Sequence, residues 1–343
     1  VTLLLSASCA ALGAAVRAED FSWQLSGAAS SVESDAFGAI PALDQDRTAV
    51  DVTYYFSAVD DSDGPLALAA FLHPTTQIAA GIAREDERSL IVAFDLGSNQ
   101  GADIVGTADE YSIGGRYVWA RSKWYAGGRY LEKNVDNDPS AGAHQTDLVA
   151  EGVLVGKYLG PRTSLELSSN SAEQSNHTLL VCPFPPACFD VPVAVDFDVD
   201  DTALDVFHVG RLSAWTYSLE GRIVDSNIET AVRIPPITVP VLPNPPPPFG
   251  PVQTMTLIFP DEIIDARFRR YSVAAELFPT DRLGVRLGYA RSDGKTLSDD
   301  EYELGGTWFV RSGLAVQLAY SRARMKESPP DSHATTLRLV GRF

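Results

Sequence analysis

Thr336-Leu337-Arg338-Leu339-Val340-Gly341-Arg342-Phe343 closes the chain. Side chains alternate across a strand, so Leu337, Leu339, Gly341 and Phe343 share one apolar or small face, while Thr336, Arg338 and Arg342 populate the other. A strand greasy on one side, charged on the other and ended by an aromatic fits the wall of a membrane-spanning barrel. It also fits the last strand of a soluble sandwich. The rest of the sequence decides.

The same period of two recurs from end to end, and no convincing helical stretch of about ten or more residues interrupts it. Val50, Val52, Tyr54 and Phe56 alternate with Asp51, Thr53, Tyr55 and Ser57. Tyr111, Ile113, Gly115, Tyr117 and Trp119 alternate with Ser112, Gly114, Arg116 and Val118. Leu148, Ala150, Gly152, Leu154, Gly156 and Tyr158 stand against Asp147, Glu151 and Lys157, and that apolar set is expected to face outward. Similar segments run through Trp215–Ile223, Tyr271–Leu277, Leu283–Tyr289, Tyr302–Trp308 and Leu314–Tyr320.

The connections are lopsided. Tight turns are expected at Asp60–Pro65, Ala120–Lys123, Gly160–Arg162, Leu212–Ala214, Pro279–Arg282 and Val310–Gly313. They alternate with long polar loops at 32–47, 134–143, 171–201, 226–265, 291–300 and 323–333. A barrel in a membrane has short turns in the periplasm and long loops outside, whereas a sandwich has no reason to shorten every second connection. Aromatics gather beside the short turns: Tyr54, Phe56, Tyr117, Trp119, Trp124, Tyr158, Trp215, Phe278 and Trp308. That is the expected girdle of rings at a headgroup boundary.

Residues 1–18 read as a signal peptide, with Val16-Arg17-Ala18 before the cleavage point and a mature domain over 19–343. Its apolar stretch falls short of the ~18 residues that span a bilayer as a helix. Cys9 leaves with it, so Cys182 and Cys188 remain as an expected disulfide in an oxidising compartment. The formal charge of −18 argues against a nucleic-acid partner. With 21% charged residues the chain has a soluble-looking average, which a barrel also gives because its two faces cancel.

These observations predict an all-β fold: one antiparallel transmembrane barrel of about fourteen strands, with both termini periplasmic. Segment 66–108 carries the ambiguity. An extra hairpin there would make sixteen strands, and loss of the first segment from the wall would make twelve. The tract Asp63-Gly64-Pro65-Leu66-Ala67-Leu68-Ala69-Ala70-Phe71-Leu72, the strand Tyr-Ser-Ile-Gly-Gly-Arg-Tyr at 111–117 and the final Phe343 resemble the proteobacterial porin family of single-chain outer-membrane barrels. The resemblance implies a place in the bacterial outer membrane, contact with its lipid, and Phe343 as a signal to the barrel-assembly machinery. The Cys-bearing and proline-rich loops depart from the family.

The inward set supplies the candidate functional residues: Arg116, Arg129, Glu151, Glu166, Glu220, Arg222, Arg270, Glu276, Arg286, Glu303 and Arg338. In a water-filled bore, opposed charges create a transverse field that favours small polar solutes. The blander account is that these groups pair and brace the wall. The acidic runs Asp136–Ser140 and Asp196–Asp201 lack the glycine and final glutamate of a calcium loop, so no metal and no cofactor is expected. His73, His144, His177, His208 and His333 are scattered and no catalytic motif accompanies them, so no enzyme is expected. The leading expectation is a porin passing small hydrophilic solutes or ions passively. The alternative is a non-conducting surface barrel that binds a partner through its extracellular loops, with Pro245–Pro248 and the cysteine loop as candidates. A gated importer is disfavoured because no plug-sized domain precedes the first strand.

Overall fold

The computed structural model describes residues 20–34, 43–60, 64–92, 101–137, 146–184, 187–233, 237–241, 253–257, 262–294, 298–325 and 331–343. Fourteen antiparallel strands close into a barrel: β1 (Asp20–Ser34), β2 (Leu43–Asp60), β3 (Gln77–Val92), β4 (Gly101–Trp119), β5 (Trp124–Asn137), β6 (Thr146–Tyr158), β7 (Thr163–Phe184), β8 (Ala187–Leu212), β9 (Trp215–Arg233), then, beyond a separate hairpin of β10 (Ile237–Val241) and β11 (Gln253–Leu257), β12 (Glu262–Thr280), β13 (Leu283–Gly294), β14 (Ser298–Arg311), β15 (Leu314–Met325) and β16 (Ser332–Arg342). Each barrel strand pairs with its neighbour in sequence, and β16 returns to β1 with Leu25 opposite Gly341 and Ala29 opposite Leu337. The carbonyl of Phe343 accepts from the amides of Ser22 and Trp23, which completes the seam. No sheet edge is left open in the wall, as a bilayer interior requires.

The pleat sorts the side chains. On β13, Leu283, Val285, Leu287 and Tyr289 project outward while Gly284, Arg286 and Gly288 project inward. Leu287 is 61% exposed and Val153 on β6 is 66% exposed. A continuous outer band of exposed Leu, Val and Ile has no counterpart on a soluble monomer and is what lipid covers. Phe56, Trp119, Trp124, Trp215 and Trp308 ring its turn-side border, with Trp119 directly opposite Trp124.

Several expectations are corrected. β2 and β3 are not joined by a tight turn at Asp60–Pro65: their connection holds a 3₁₀ turn at Leu66–Leu68 and one helical turn at Ala69–Leu72, inside the barrel, before β3. Every residue of that tract is apolar, so it has no polar face to give to water and no strand alternation. Tyr158 and Phe278 belong to the inner face and are 3% and 2% exposed, so they are not part of the girdle. On β6 the outward set is Val149, Val153 and Val155, the reverse of the expected facing, and Glu151 goes outward with them. Both faces of that strand are apolar; the contact of Tyr158 with Tyr125, ring centroids 5.0 Å apart, fixes which one turns in.

In the ambiguous segment 66–108, β3 runs on to Val92 opposite β4, so the count stays at fourteen. Strands also run on where loops were expected. Most of 171–201 is the ladder of β7 and β8, which pairs as far as Phe184 and Ala187. Backbone hydrogen bonds sustain these extensions above the lipid, where no apolar face is needed. The segment 226–265 holds the β10–β11 hairpin, and Pro240 sits in it opposite Thr254. An isolated two-stranded ribbon tolerates proline on its free edge. The signal peptide at 1–18 and Pro245–Pro248 lie outside the described residues, as do the side chains of Cys182 and Cys188.

Candidate functional site

The bore is layered. At the turn end the inner face is apolar on most strands: Phe21, Tyr55, Tyr125, Tyr158, Val209, Phe278, Phe309, Ala315 and Val340 are all buried. The inserted tract fills this ring. Leu66 packs on Phe309, Ala315 and Val340; Leu68 packs on Val209 and Phe278; Ala69 packs on Phe21, Tyr55 and Val59. The Phe71 ring meets Phe207 at 4.4 Å and Tyr158 at 5.8 Å. A few residues thus reach walls from β1, β2, β6, β8, β12, β14, β15 and β16. The tract is an apolar plug across the periplasmic end. It comes from the connection between β2 and β3, not from a domain before the first strand.

Arg342 secures the plug. Its side chain is buried between Phe21 and Phe309, with its guanidinium carbon 4.6 Å and 5.0 Å from the two ring centroids. Its Nη1 donates to the carbonyl of Leu66, and its Nε donates to Gln24 Oε1 at 3.3 Å. The amide of Leu66 donates to the carbonyl of Asp281 in the β12–β13 turn at 3.0 Å. Gly64 carries φ +151°, a conformation reserved for glycine, and a side chain there would start 3.1 Å from Leu72 Cδ1.

One step above the plug the lining becomes charged. Arg286 on β13 bridges Glu220 on β9 at 2.9 Å and Glu303 on β14 at 3.1 Å. Arg270 pairs with Glu301 and reaches Asp299 at 4.0 Å; Arg222 lies 3.5 Å from Asp205. Thr307 donates to Glu276 at 3.4 Å. These walls border a luminal cavity of about 520 Å³ that includes Asp201, Glu220, Arg222, Arg270, Arg286 and Glu303. Elsewhere in the bore Arg338 reaches Asp51 at 3.5 Å and donates to Ser26 at 2.8 Å, Arg47 pairs with Glu110 at 2.8 Å, and Lys133 pairs with Glu85 at 2.7 Å.

Half the ring of fourteen strands separates β13 from β4, so the Arg286 wall confronts Arg116, with Arg129 beside it on β5. Arg116 and Arg129 have no ion pair among the described residues. Carboxylates outnumber arginines on the Arg286 wall, whereas Arg47, Lys133 and Arg338 on the other side are matched by Glu110, Glu85 and Asp51. Of the sequence candidates, only Glu151 is misplaced, on the lipid side among valines. Every other member of the set projects inward, and the structure gathers Glu220, Arg222, Arg270, Glu276, Arg286 and Glu303 on one wall. Asp51, Asp205, Asp299 and Glu301 follow the same parity without being among the sequence candidates, and Arg342, on the charged face of the final strand, gains its role only from the fold.

No family model and no curated protein matches the chain. Solved structures do. The Acinetobacter baumannii outer membrane protein Omp33 superposes with a TM-score of 0.53 at 15% identity, covering 95% of this chain and 100% of that one. The toluene transporter TodX of Pseudomonas putida gives 0.51 at 11% identity, covering 94% and 90%. The monoaromatic hydrocarbon channel CymD gives 0.53 at 9% identity, covering 94% and 89%. The fold is that of bacterial outer-membrane barrels. With its lipid-facing band, this chain is a protein of that membrane. The kinship is one of fold, and the narrower porin family resembled by the sequence is not among what these likenesses establish.

Proposed function

We propose that the chain is an outer-membrane channel for small hydrophilic solutes or ions, closed at rest by residues 65–72 and conducting when that segment leaves the bore. The observation that carries this is the contrast between an apolar exterior and a water-accessible, charged interior cavity of about 520 Å³. A barrel built only for surface display has no need of a bore lined with hydrated charges. The hydrocarbon cargo named for TodX and CymD does not suit this lining, since an apolar solute would have to strip water from Arg222, Arg270, Arg286 and their carboxylates. Ion pairs such as Arg286 with Glu220 and Glu303 hold the lining open while leaving its charges hydrated.

The plug itself favours the second reading, a barrel that does not conduct and serves through its extracellular side. Planar-bilayer recording separates the two. The channel reading expects conductance steps in wild type that become longer and more frequent when Leu66, Leu68 and Phe71 are replaced together by serine. Silence from both proteins, each shown to be folded by heat-modifiable gel mobility, would leave the surface reading standing.

A further inference from the structure

Arg116 is held in an unusual setting for a luminal arginine. The Tyr125 ring lies across Gly156, where even a Cβ would stand 2.2 Å from its Cζ atom, so only glycine lets the ring lie flat on β6. The Arg116 guanidinium stacks over that ring, 5.2 Å from its centroid. The Tyr125 hydroxyl is engaged by Glu166, the carboxylate on the neighbouring wall. Nε of Arg116 is buried with no hydrogen-bond partner among the described residues. Arg129 projects from β5 two positions further from the plug, exposed to the bore, next to Asn170 across Gly152. Arg116 and Arg129 thus stand in one wall without an ion pair among the described residues, while Arg47, Arg222, Arg270, Arg286 and Arg338 each lie against an acidic group.

The surroundings add an apolar component. From Arg116 an unbroken row of rings runs Tyr125, Tyr158, Phe71, Phe207, with successive centroids 5.0, 5.8 and 4.4 Å apart. Phe71 and Phe207 are only partly buried, at the level where the plug meets the charged layer. We infer that this corner of the bore is a binding subsite for small organic carboxylates carrying an aromatic or apolar body. The carboxylate engages Arg116 and Arg129, and the body lies on the plug side of that pair, toward the row of rings. The guanidinium fork matches a carboxylate with two parallel hydrogen bonds, which a stacked and pre-oriented arginine makes at reduced entropic cost. This subsite rests on the bore being a solute path, and it names the class of solute that would pause there.

The test is calorimetric titration of the full-length, folded barrel in detergent with benzoate, acetate and benzyl alcohol. Benzoate should bind saturably, acetate at least about tenfold more weakly for want of a ring, and benzyl alcohol weakly for want of charge. Arg116→Gln and Arg129→Gln should each weaken benzoate about tenfold, with Arg116→Lys recovering part of the loss. Conversely, the subsite is refuted by no saturable benzoate binding, by equal binding of benzyl alcohol, or by unchanged benzoate affinity in the folded double glutamine variant. Conductance is read separately: a silent barrel that binds benzoate would sink the channel, and a conducting barrel indifferent to benzoate would sink only the subsite.

Discussion

Replacing Arg342 by Met should unlatch the plug while leaving apolar bulk between Phe21 and Phe309. The change removes two cation–π contacts, each worth about 0.5–2 kcal/mol where water is excluded. It also removes the charged hydrogen bond to the Leu66 carbonyl, worth about 1.5–3 kcal/mol. Methionine regains part of this through packing against the rings. A net loss of about 3 kcal/mol from the plugged state would raise the ratio of open to closed barrels by roughly 150-fold. Single-channel recording reads that ratio as open probability. Because Arg342 lies in the closing strand, folding is checked by heat-modifiable mobility and far-UV circular dichroism. A folded Arg342→Met barrel with the open probability of wild type would refute the latch, and with it the view that segment 65–72 rests on this side chain.

Gly64→Val should also loosen the plug, because a branched residue at φ +151° is strained and its side chain would crowd Leu72; limited proteolysis from the periplasmic side of proteoliposomes should then cut within 65–76 faster than in wild type. Leu287→Arg places a charge in the lipid band and should destabilise the barrel by about 2–4 kcal/mol in reversible unfolding from lipid vesicles, and a change below about 0.5 kcal/mol would contradict the assigned outer face. Arg286→Met leaves Glu220 and Glu303 without their shared cation. The reversal potential in a salt gradient should move toward cation selectivity, and a move toward anions would rule out a current path along this wall.

The barrel was legible because lipid imposes a rule that water does not. A strand with lipid on one side and a wet bore on the other must alternate, and Leu283–Tyr289 and Tyr302–Trp308 do so without exception. Where that rule lapses, the sequence becomes ambiguous. Leu148, Leu154 and Tyr158 on β6 are as apolar as Val149, Val153 and Val155, so the facing of Glu151 is settled only by the neighbour across the sheet, Tyr125 on Gly156. Above the lipid neither face must be apolar, and ladders such as Asp196–Asp205 on β8 therefore resemble acidic loops. The charged lining followed from parity, but which arginines are paired depends on strands brought together from far apart in the chain, as Arg286 and Glu220 are.

The plug left a trace in the sequence that strand-by-strand analysis does not reveal. Near the short turns the inward positions Tyr158, Val209, Phe278, Phe309 and Val340 are all large and apolar, whereas one or two pleats further along β8, β12 and β16 they give way to Asp205, Glu276 and Arg338. A bore that turns apolar at the same end on so many strands cannot be water-filled there, because exposed Phe and Val in a wide aqueous mouth would cost about 1.5–3 kcal/mol apiece. Something apolar must cover them. Leu66-Ala67-Leu68-Ala69-Ala70-Phe71-Leu72 is the segment of matching character that no wall position claims, and its alanines make it narrow enough to pass inside. The closed periplasmic end is therefore a consequence of residues spread over the whole chain, and removing the tract should leave the ring they form open to water.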